Sequence, residues 1–259
     1  MTEVRDWAIR ILSADSLDDK LFSPEILTDN NPGPAYRFNE PVRPAGMAFS
    51  KRPKQEKLPP FHEHHQIDKR AICLHRFAGH ELLAVEIMAQ ALLAFPEAPV
   101  SFRKGVIRTL KEEQYHVRLY KQRMEEMGLQ FGDLPLYRHF WVHVPYLTSP
   151  LHYLSAMSLT FEMANLDFAP HYGKSFAKYG DEKSAQLMNK ILSDEIRHVS
   201  FGYGMLKKLK EPEAGDFETY KKSLTHFLTP KRAKGFLFHE ENRRAAGIPQ
   251  DWIEEIKRS

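Results

Sequence analysis

The sequence has few features that would support disulfide crosslinks or insertion into a membrane. Its 259 residues include a single cysteine, Cys73, so no internal disulfide can form, as is typical of chains kept in a reducing cytoplasm. The N-terminal stretch MTEVRDWAIRILSADSLDDK is charged throughout and contains no apolar signal core. No segment approaches the roughly twenty apolar residues that span a bilayer. These absences predict a cytoplasmic protein with no membrane partner.

The chain also lacks a strong excess of charge of either sign. Lys and Arg number 37 and Asp and Glu number 34, for a formal net charge of +3. A dedicated nucleic-acid surface needs a clearly basic stripe, so no nucleic-acid partner is predicted. Two short basic stretches, SKRPKQEK and PKRAKG, are predicted to be solvated surface. Hydrophobic residues at 42% and charged residues at 27% indicate a globular protein of one large or two small domains.

The first part of the chain predicts an arm rather than a domain. Two short helices are expected near Val4–Leu12 and Ser16–Leu27, followed by the Pro-rich passage NNPGPAYRFNEPVRPAG. The passage continues to the paired prolines Pro59–Pro60. We expect it to lie extended on the rest of the protein, because its aromatic and leucine residues favour burial.

Helical periodicity then predicts four long helices, at about residues 68–95, 101–127, 149–172 and 181–209. Gly128 closes the second helix, and a long aromatic-rich connection, LQFGDLPLYRHFWVHVPYLTS, separates it from the third. The tail predicts two or three shorter helices, with start signals at Thr229–Pro230 and Asp251. No alternating strand pattern is evident. The predicted fold class is therefore all-α.

A short phrase occurs once on the second long helix and once on the fourth. KEEQYHVR contains Glu113 and His116, and SDEIRHVS contains Glu195 and His198. Residues three apart lie on one face of a helix, so each Glu points the same way as its His. A single pair of this kind is common on a solvated face. The repetition is what makes it informative.

Both glutamates also interrupt apolar stripes that predict burial. Glu113 shares its stripe with Phe102, Val106, Leu110, Val117 and Tyr120. Glu195 shares its stripe with Met188, Ile191, Leu192, Val199 and Met205. A buried carboxylate is costly unless a positive charge neutralises it. A bound cation answers this need, because carboxylate and imidazole together suit iron, manganese or zinc.

An acid precedes each repeated phrase by nearly the same distance. Glu81 lies 32 residues before Glu113, and Glu162 lies 33 residues before Glu195. Two helical hairpins therefore carry the same pattern, with one Glu on the first arm and Glu-x-x-His on the second. A further acid follows five residues after each leading Glu. These acids are Glu86 and Asp167.

The alternative assignments differ most on the first hairpin. Glu86 is a rival to Glu81 as the ligand from the first helix, because only the spacing of the repeat favours Glu81. Glu86, and Asp167 at the equivalent position of the second hairpin, are possible additional site residues.

Packed as a four-helix bundle, the two hairpins would bring four carboxylates and two imidazoles together, which is the ligand set of di-iron and di-manganese carboxylate bundles. Four carboxylates balance the charge of two divalent ions. We expect Glu113 and Glu195 to bridge the metals. Glu81 and Glu162 would be terminal ligands beside the histidines.

The chain resembles the ferritin-like di-iron carboxylate superfamily across about residues 68–210. From about Arg52 onward it looks like an uncharacterised bacterial ferritin-like family known only as a domain of unknown function. The stretches that carry this likeness are LHRFAGHELLAVE, FPEAP, TSPLHYLSAMSLTFEMANLDFAPHY, DEIRHVSFG and KRAKGFLFHEENRRAAG. The resemblance implies a ferritin-like bundle at 68–210, with an arm at 1–67 and a helical extension at 211–259. It also implies redox chemistry with dioxygen and names no substrate.

Ferritin-like relatives often place a hydrogen-bond acceptor just before the ligating Glu. The resemblance therefore implies that Asp194 accepts from His116 and that Glu112 accepts from His198. The alternative for Glu112 is a solvated surface acid. Tyr115 is expected close to the metals, with a core role or a part in relaying electrons.

These observations predict a di-iron oxygenase or oxidase that acts with dioxygen on an unknown small organic substrate. Two manganese ions or a mixed pair are alternatives to two iron ions, and the electron donor is unknown. About a hundred residues outside the bundle favour a roofed pocket over a storage cage, with Phe236, Phe238, Arg243 and Arg244 as candidate lining. A monomer or homodimer is expected. The alternatives are an iron-handling protein that oxidises Fe(II) without an organic substrate, and a metal-free helical scaffold.

Overall fold

The computed structural model describes residues 1–51 and 56–259, and the described residues form ten α-helices and one pair of two-residue strands. The predicted all-α class is confirmed. The middle of the basic stretch SKRPKQEK and the start of the family resemblance at Arg52 lie outside the described residues. The chain divides into two compact units, Met1–Pro145 and Tyr146–Ser259, and each contains one helical hairpin.

The first unit begins with short elements. They are β1 at Thr2–Glu3, α1 at Val4–Ser13, α2 at Leu17–Leu21 and β2 at Leu27–Thr28, with β1 and β2 parallel. The prediction that the second helix continues to Leu27 is wrong. Phe22 turns to an extended conformation with ψ at 122°, and the residue before Pro24 is sterically disfavoured from helix. The chain is then free to return and pair with β1.

The hairpin of this unit consists of α3, Ile67–Ala94, and α4, Val100–Glu125. These bounds agree with the periodicity to within two residues. Gly128 has a φ of +86°, the left-handed conformation expected just after a helix. The second helix thus ends where the glycine predicts.

By length and composition alone, α3 is long enough and apolar enough to cross a membrane. The prediction that no segment approaches this composition is therefore wrong for Ile67–Ala94, yet 89% of its most apolar stretch is buried within the fold. Burial on nearly every side explains the composition, as in the central helix of a soluble protein. Cys73 lies on this helix at 0% exposure, and its burial raises the pKa of the thiol to about 12.

The arm of the first unit is held on α4 by side-chain donors. Lys111, Gln114 and Arg118 donate to four backbone carbonyls at the end of α2 and just after it, between residues 20 and 24. The last carbonyls of a helix have no intrahelical partner. Buried carbonyls need such partners. These hydrogen bonds hold the segment against α4, the helix that carries Glu113.

The second unit contains α5 at Pro150–Ala156, a π-helical turn at Met157–Glu162, α6 at Met163–Lys178 and α7 at Glu182–Leu209. Ser149 caps α5 by accepting from the backbone N–H of His152, and Asp181 caps α7 by accepting from that of Ser184. The third long helix therefore starts as predicted. It continues beyond Tyr172, to Lys178.

Three short helices complete this unit, α8 at Asp216–Ser223, α9 at Glu240–Ala245 and α10 at Gln250–Arg258. Their apolar residues pack with those of α6 and α7 into one core. The fully or nearly fully buried members include Leu166, Val199, Tyr220, Trp252, Ile253 and Ile256. The C-terminal segment is thus part of the second unit's core.

Candidate metal centre

The six residues predicted to bind metal are all removed from solvent. None is more than 5% exposed, although four are carboxylates and two are imidazoles. The six are Glu81, Glu113, His116, Glu162, Glu195 and His198. Six ionisable side chains at this level of burial are expensive to keep without compensation.

In the first unit, the structure brings three of these residues together. Glu81 of α3 and Glu113 and His116 of α4 each offer one ligand atom, and these atoms all lie within 4.8 Å of one another. His116 Nδ1 is 3.3 Å from Glu113 Oε2. Two carboxylates and one imidazole at this spacing form a donor set that suits a divalent transition metal.

In the second unit, the other Glu-x-x-His pair repeats the same local geometry. His198 Nδ1 is 3.5 Å from Glu195 Oε2 on α7, so Nδ1 faces the carboxylate in both hairpins. The backbone of this unit places Glu162 at the end of the π turn that leads into α6. π turns are rare and often occur at functional sites.

Sequence reasoning missed one residue that contacts this group. Asn165 Nδ2 donates to Glu195 Oε1 at 2.8 Å, which fixes the orientation of that carboxylate. Asn165 lies three residues after Glu162 and so shares its helix face, a signal that was available in the sequence.

The π turn also depends on a glycine of α7. A Cβ built on Gly202 would lie 2.4 Å from Ser158 Cβ and 3.2 Å from Ser158 Oγ. Real Cβ contacts are not this short, so only glycine lets α7 approach the π turn this closely. The position of Glu162 therefore depends on a residue four positions after His198.

Gly202→Ala should lower the free energy of unfolding by about 1–3 kcal/mol, the usual cost of inserting a methyl group into a packed interior. Gly204→Ala is the matched control, because nothing lies within 4 Å of a Cβ at Gly204. Alanine there should stabilise the helix by up to about 1 kcal/mol. Urea unfolding measures both effects, and equal effects of the two substitutions would contradict the close approach.

Glu86 has its own cations within the first unit. Its carboxylate lies 3.0 Å from Lys20 Nζ and also pairs with Arg43, and all three side chains are at most 3% exposed. Burial lowers the pKa of Lys20, and the charge of Glu86 opposes that shift. Glu86 thus forms buried ion pairs with Lys20 and Arg43, whereas Glu81 is close to Glu113 and His116.

Asp167 is likewise held by a cation in the second unit. It accepts two hydrogen bonds from Arg243, at 2.7 and 2.8 Å, and one each from the backbone N–H groups of Gly235 and His239. The side chain of Arg243, one of the candidate lining residues, is fully buried in this ion pair. These four hydrogen bonds to Asp167 hold residues 235–243 against α6.

The remaining predicted residues differ in position. Asp194 is buried and pairs with Lys190 and Arg197 on its own helix, and Glu112 is half-buried. Their predicted bonds to the two histidines stay predictions. Tyr115 is 49% exposed, so the expected core role is wrong. Each residue of a helix is turned by about 100° from the one before it. Tyr115 therefore points about 100° away from His116 and to nearly the opposite side of the helix from Glu113.

Comparison with known proteins gives a family and nothing more specific. A family model described as "Protein of unknown function (DUF455)" matches residues 6–254. No curated protein and no solved structure matches the chain. The match confirms the resemblance to an uncharacterised family.

Proposed function

The chain belongs to that family of unknown function, and we propose that it is an oxidoreductase whose dinuclear metal centre, two iron ions, reacts dioxygen with a small organic substrate. The two hairpins are proposed to pair as a ferritin-like four-helix bundle. The observation that carries the proposal is the burial of all six predicted ligands, none above 5% exposure. The repeated placement of Nδ1 against the Glu carboxylate in both hairpins supports it.

The donor set fits two divalent ions in both number and charge. Four carboxylates offset two ions of charge +2, which removes the cost of burying them. We propose that Glu113 and Glu195 would hold the ions together with two further acids and two histidines. These are Glu81, Glu162, His116 and His198.

A bound pair of ferrous ions would supply the electrons that reduce dioxygen. The protein's own groups would set the conditions. Nδ1 of each histidine faces the carboxylates and would be the ligand atom, so the proton of a neutral ring would reside on Nε2. Asn165 would hold Glu195 Oε1 in place, and burial of the whole group excludes bulk water.

The extra segments favour an organic substrate over iron storage. In each unit, elements outside the hairpin are packed into the core, including α1 in the first and α10 in the second. Oxidation of Fe(II) alone requires no such additions. Gel filtration separates the two functions, because a storage protein assembles into a large shell and the proposed enzyme is expected as a monomer or homodimer.

The proposal is tested by loading purified protein with Fe(II) without oxygen, then measuring metal content and the optical spectrum before and after exposure to air. About two iron equivalents per chain and an oxygen-dependent absorption change are expected. Glu113→Ala with Glu195→Ala should abolish both and leave the helical circular dichroism intact. Full metal content in that double variant would show that the site is misplaced, and metal-free wild-type protein after loading would favour the scaffold.

A further inference from the structure

One segment of the second unit has a charge unlike that of the rest of the chain. Residues 219–239 contain five basic residues and no acidic residue, although the whole chain carries a net charge of only +3. The basic residues are Lys221, Lys222, Lys231, Arg232 and Lys234. We call residues 219–239 the basic segment.

The basic segment also exposes large apolar side chains. Phe227 is 95% exposed, Phe236 is 74% exposed and Leu237 is 50% exposed. Single exposed apolar residues are ordinary, but three within eleven residues, two of them adjacent in sequence, make the segment a candidate contact surface. Leu228 and Ala233 of the same segment are buried and anchor it to the protein.

The turn that presents Phe227 is conformationally costly. His226 and Phe227 have φ values of 51° and 63°, in the left-handed region that residues other than glycine seldom adopt. The turn is closed by a 3.2 Å hydrogen bond from the N–H of Leu228 to the carbonyl of Thr225, and the Tyr146 ring stacks on His226 at 4.1 Å. These contacts stabilise a strained turn, and the turn exposes the side chain of Phe227 to solvent.

Three of the cations of the basic segment have no ion-pair partner in the described part of the chain. Among the described residues, no ion pair involves Lys222, Lys231 or Arg232, and all three are exposed. Lys221, by contrast, pairs with Glu218 at 2.7 Å. The basic segment thus offers positive charge to a partner outside the chain.

We propose that the basic segment docks the protein on the surface of an anionic phospholipid membrane. Phe227, Phe236 and Leu237 would enter the boundary between headgroups and acyl chains, while Lys231 and Arg232 face the lipid phosphates. Ten peptide steps join Phe227 to Leu237, so the apolar residues lie within at most roughly 35 Å of one another.

The charges and the apolar side chains select this partner over others. A second copy docking through the same face would bring Lys222, Lys231 and Arg232 against the same three cations of the other copy. RNA matches the charge, but Leu237 has no flat face on which a base stacks. Peripheral docking needs neither a spanning helix nor a signal core, the two features whose expected absence led to the prediction of no membrane partner.

The test is flotation of the purified full chain with vesicles of phosphatidylcholine alone or mixed with phosphatidylglycerol. Binding is expected only to the anionic vesicles and should weaken as salt rises. Phe227→Ser with Phe236→Ser should reduce partitioning at least about tenfold. Lys231→Ala with Arg232→Ala should reduce it about 25-fold, because each cation near an anionic surface strengthens binding about fivefold.

Matched controls come from the first unit. Ile26→Ser with Val100→Ser removes two apolar side chains that are 59% and 67% exposed, and Lys104→Ala with Arg108→Ala removes the same charge from exposed sites on α4. Neither pair should change binding. The proposal is overturned if the wild-type chain binds neither vesicle, if the phenylalanine variant binds as wild type does, or if a short RNA competes the protein off anionic vesicles. It does not depend on the proposed function, since metal content plays no part in the measurement.

Discussion

A chain carrying Glu81→Gln is expected to lose bound metal, whereas one carrying Glu86→Gln is expected to keep it. Glu81 shares a 4.8 Å cluster with Glu113 and His116, and a neutral amide in its place is a poor ligand. Affinity at that position should fall by more than about 100-fold, the upper end of losses seen for outer-sphere partners. Glu86 already holds Lys20 and Arg43, so its removal should leave the metal ligands in place.

The two variants form a matched pair, since both exchange a buried acid of α3 for its amide. Metal content after loading distinguishes them, and unfolding in urea provides the second reading. Glu86→Gln should cost about 3 kcal/mol or more, because two buried cations lose the carboxylate that they share. Retention of metal by Glu81→Gln, together with its loss from Glu86→Gln, would reverse the assignment of the first-helix ligand.

Asp167→Ala is expected to destabilise the protein by about 3–5 kcal/mol, the cost of leaving a buried charge unpaired. Arg243 would keep its full burial and lose two hydrogen bonds to the carboxylate. The backbone N–H groups of Gly235 and His239 would lose their acceptor as well. Urea unfolding monitored by tryptophan fluorescence provides the measurement, since Trp252 belongs to the same core.

The control for Asp167→Ala is the neighbouring surface pair. Arg244 lies 2.6 Å from Glu240, with the two side chains 53% and 23% exposed. Exposed pairs contribute less than about 1 kcal/mol, so Arg244→Ala should change stability little. Similar losses from both variants would mean that the buried pair does not hold the C-terminal segment.

The long helices could be predicted from the sequence because their signals are local. Apolar spacing, the capping residues Ser149 and Asp181, and Gly128 each act within a few positions along the chain. The burial of Glu113 and Glu195 could also be predicted, because each lies on an apolar stripe that its histidine shares. The repeat supplied the pairing of Glu with His on one face.

The other features depend on residues distant in the chain. The partner of Glu86 is 66 positions away at Lys20, and that of Asp167 is 76 positions away at Arg243. No local pattern distinguishes an acid that meets lysine or arginine from one placed to meet metal. The π turn was missed for a related reason, since it rests on a close approach between Ser158 and Gly202.

Cys73 gives the folded protein no thiol that an alkylating reagent or peroxide can reach at neutral pH. The reactive species is the thiolate, and a pKa of about 12 with full burial leaves almost none of it. A cysteine introduced anywhere on the surface would therefore be the sole labelling position without any need to replace the native one. Fluorescent or spin probes can then be attached to the wild-type background.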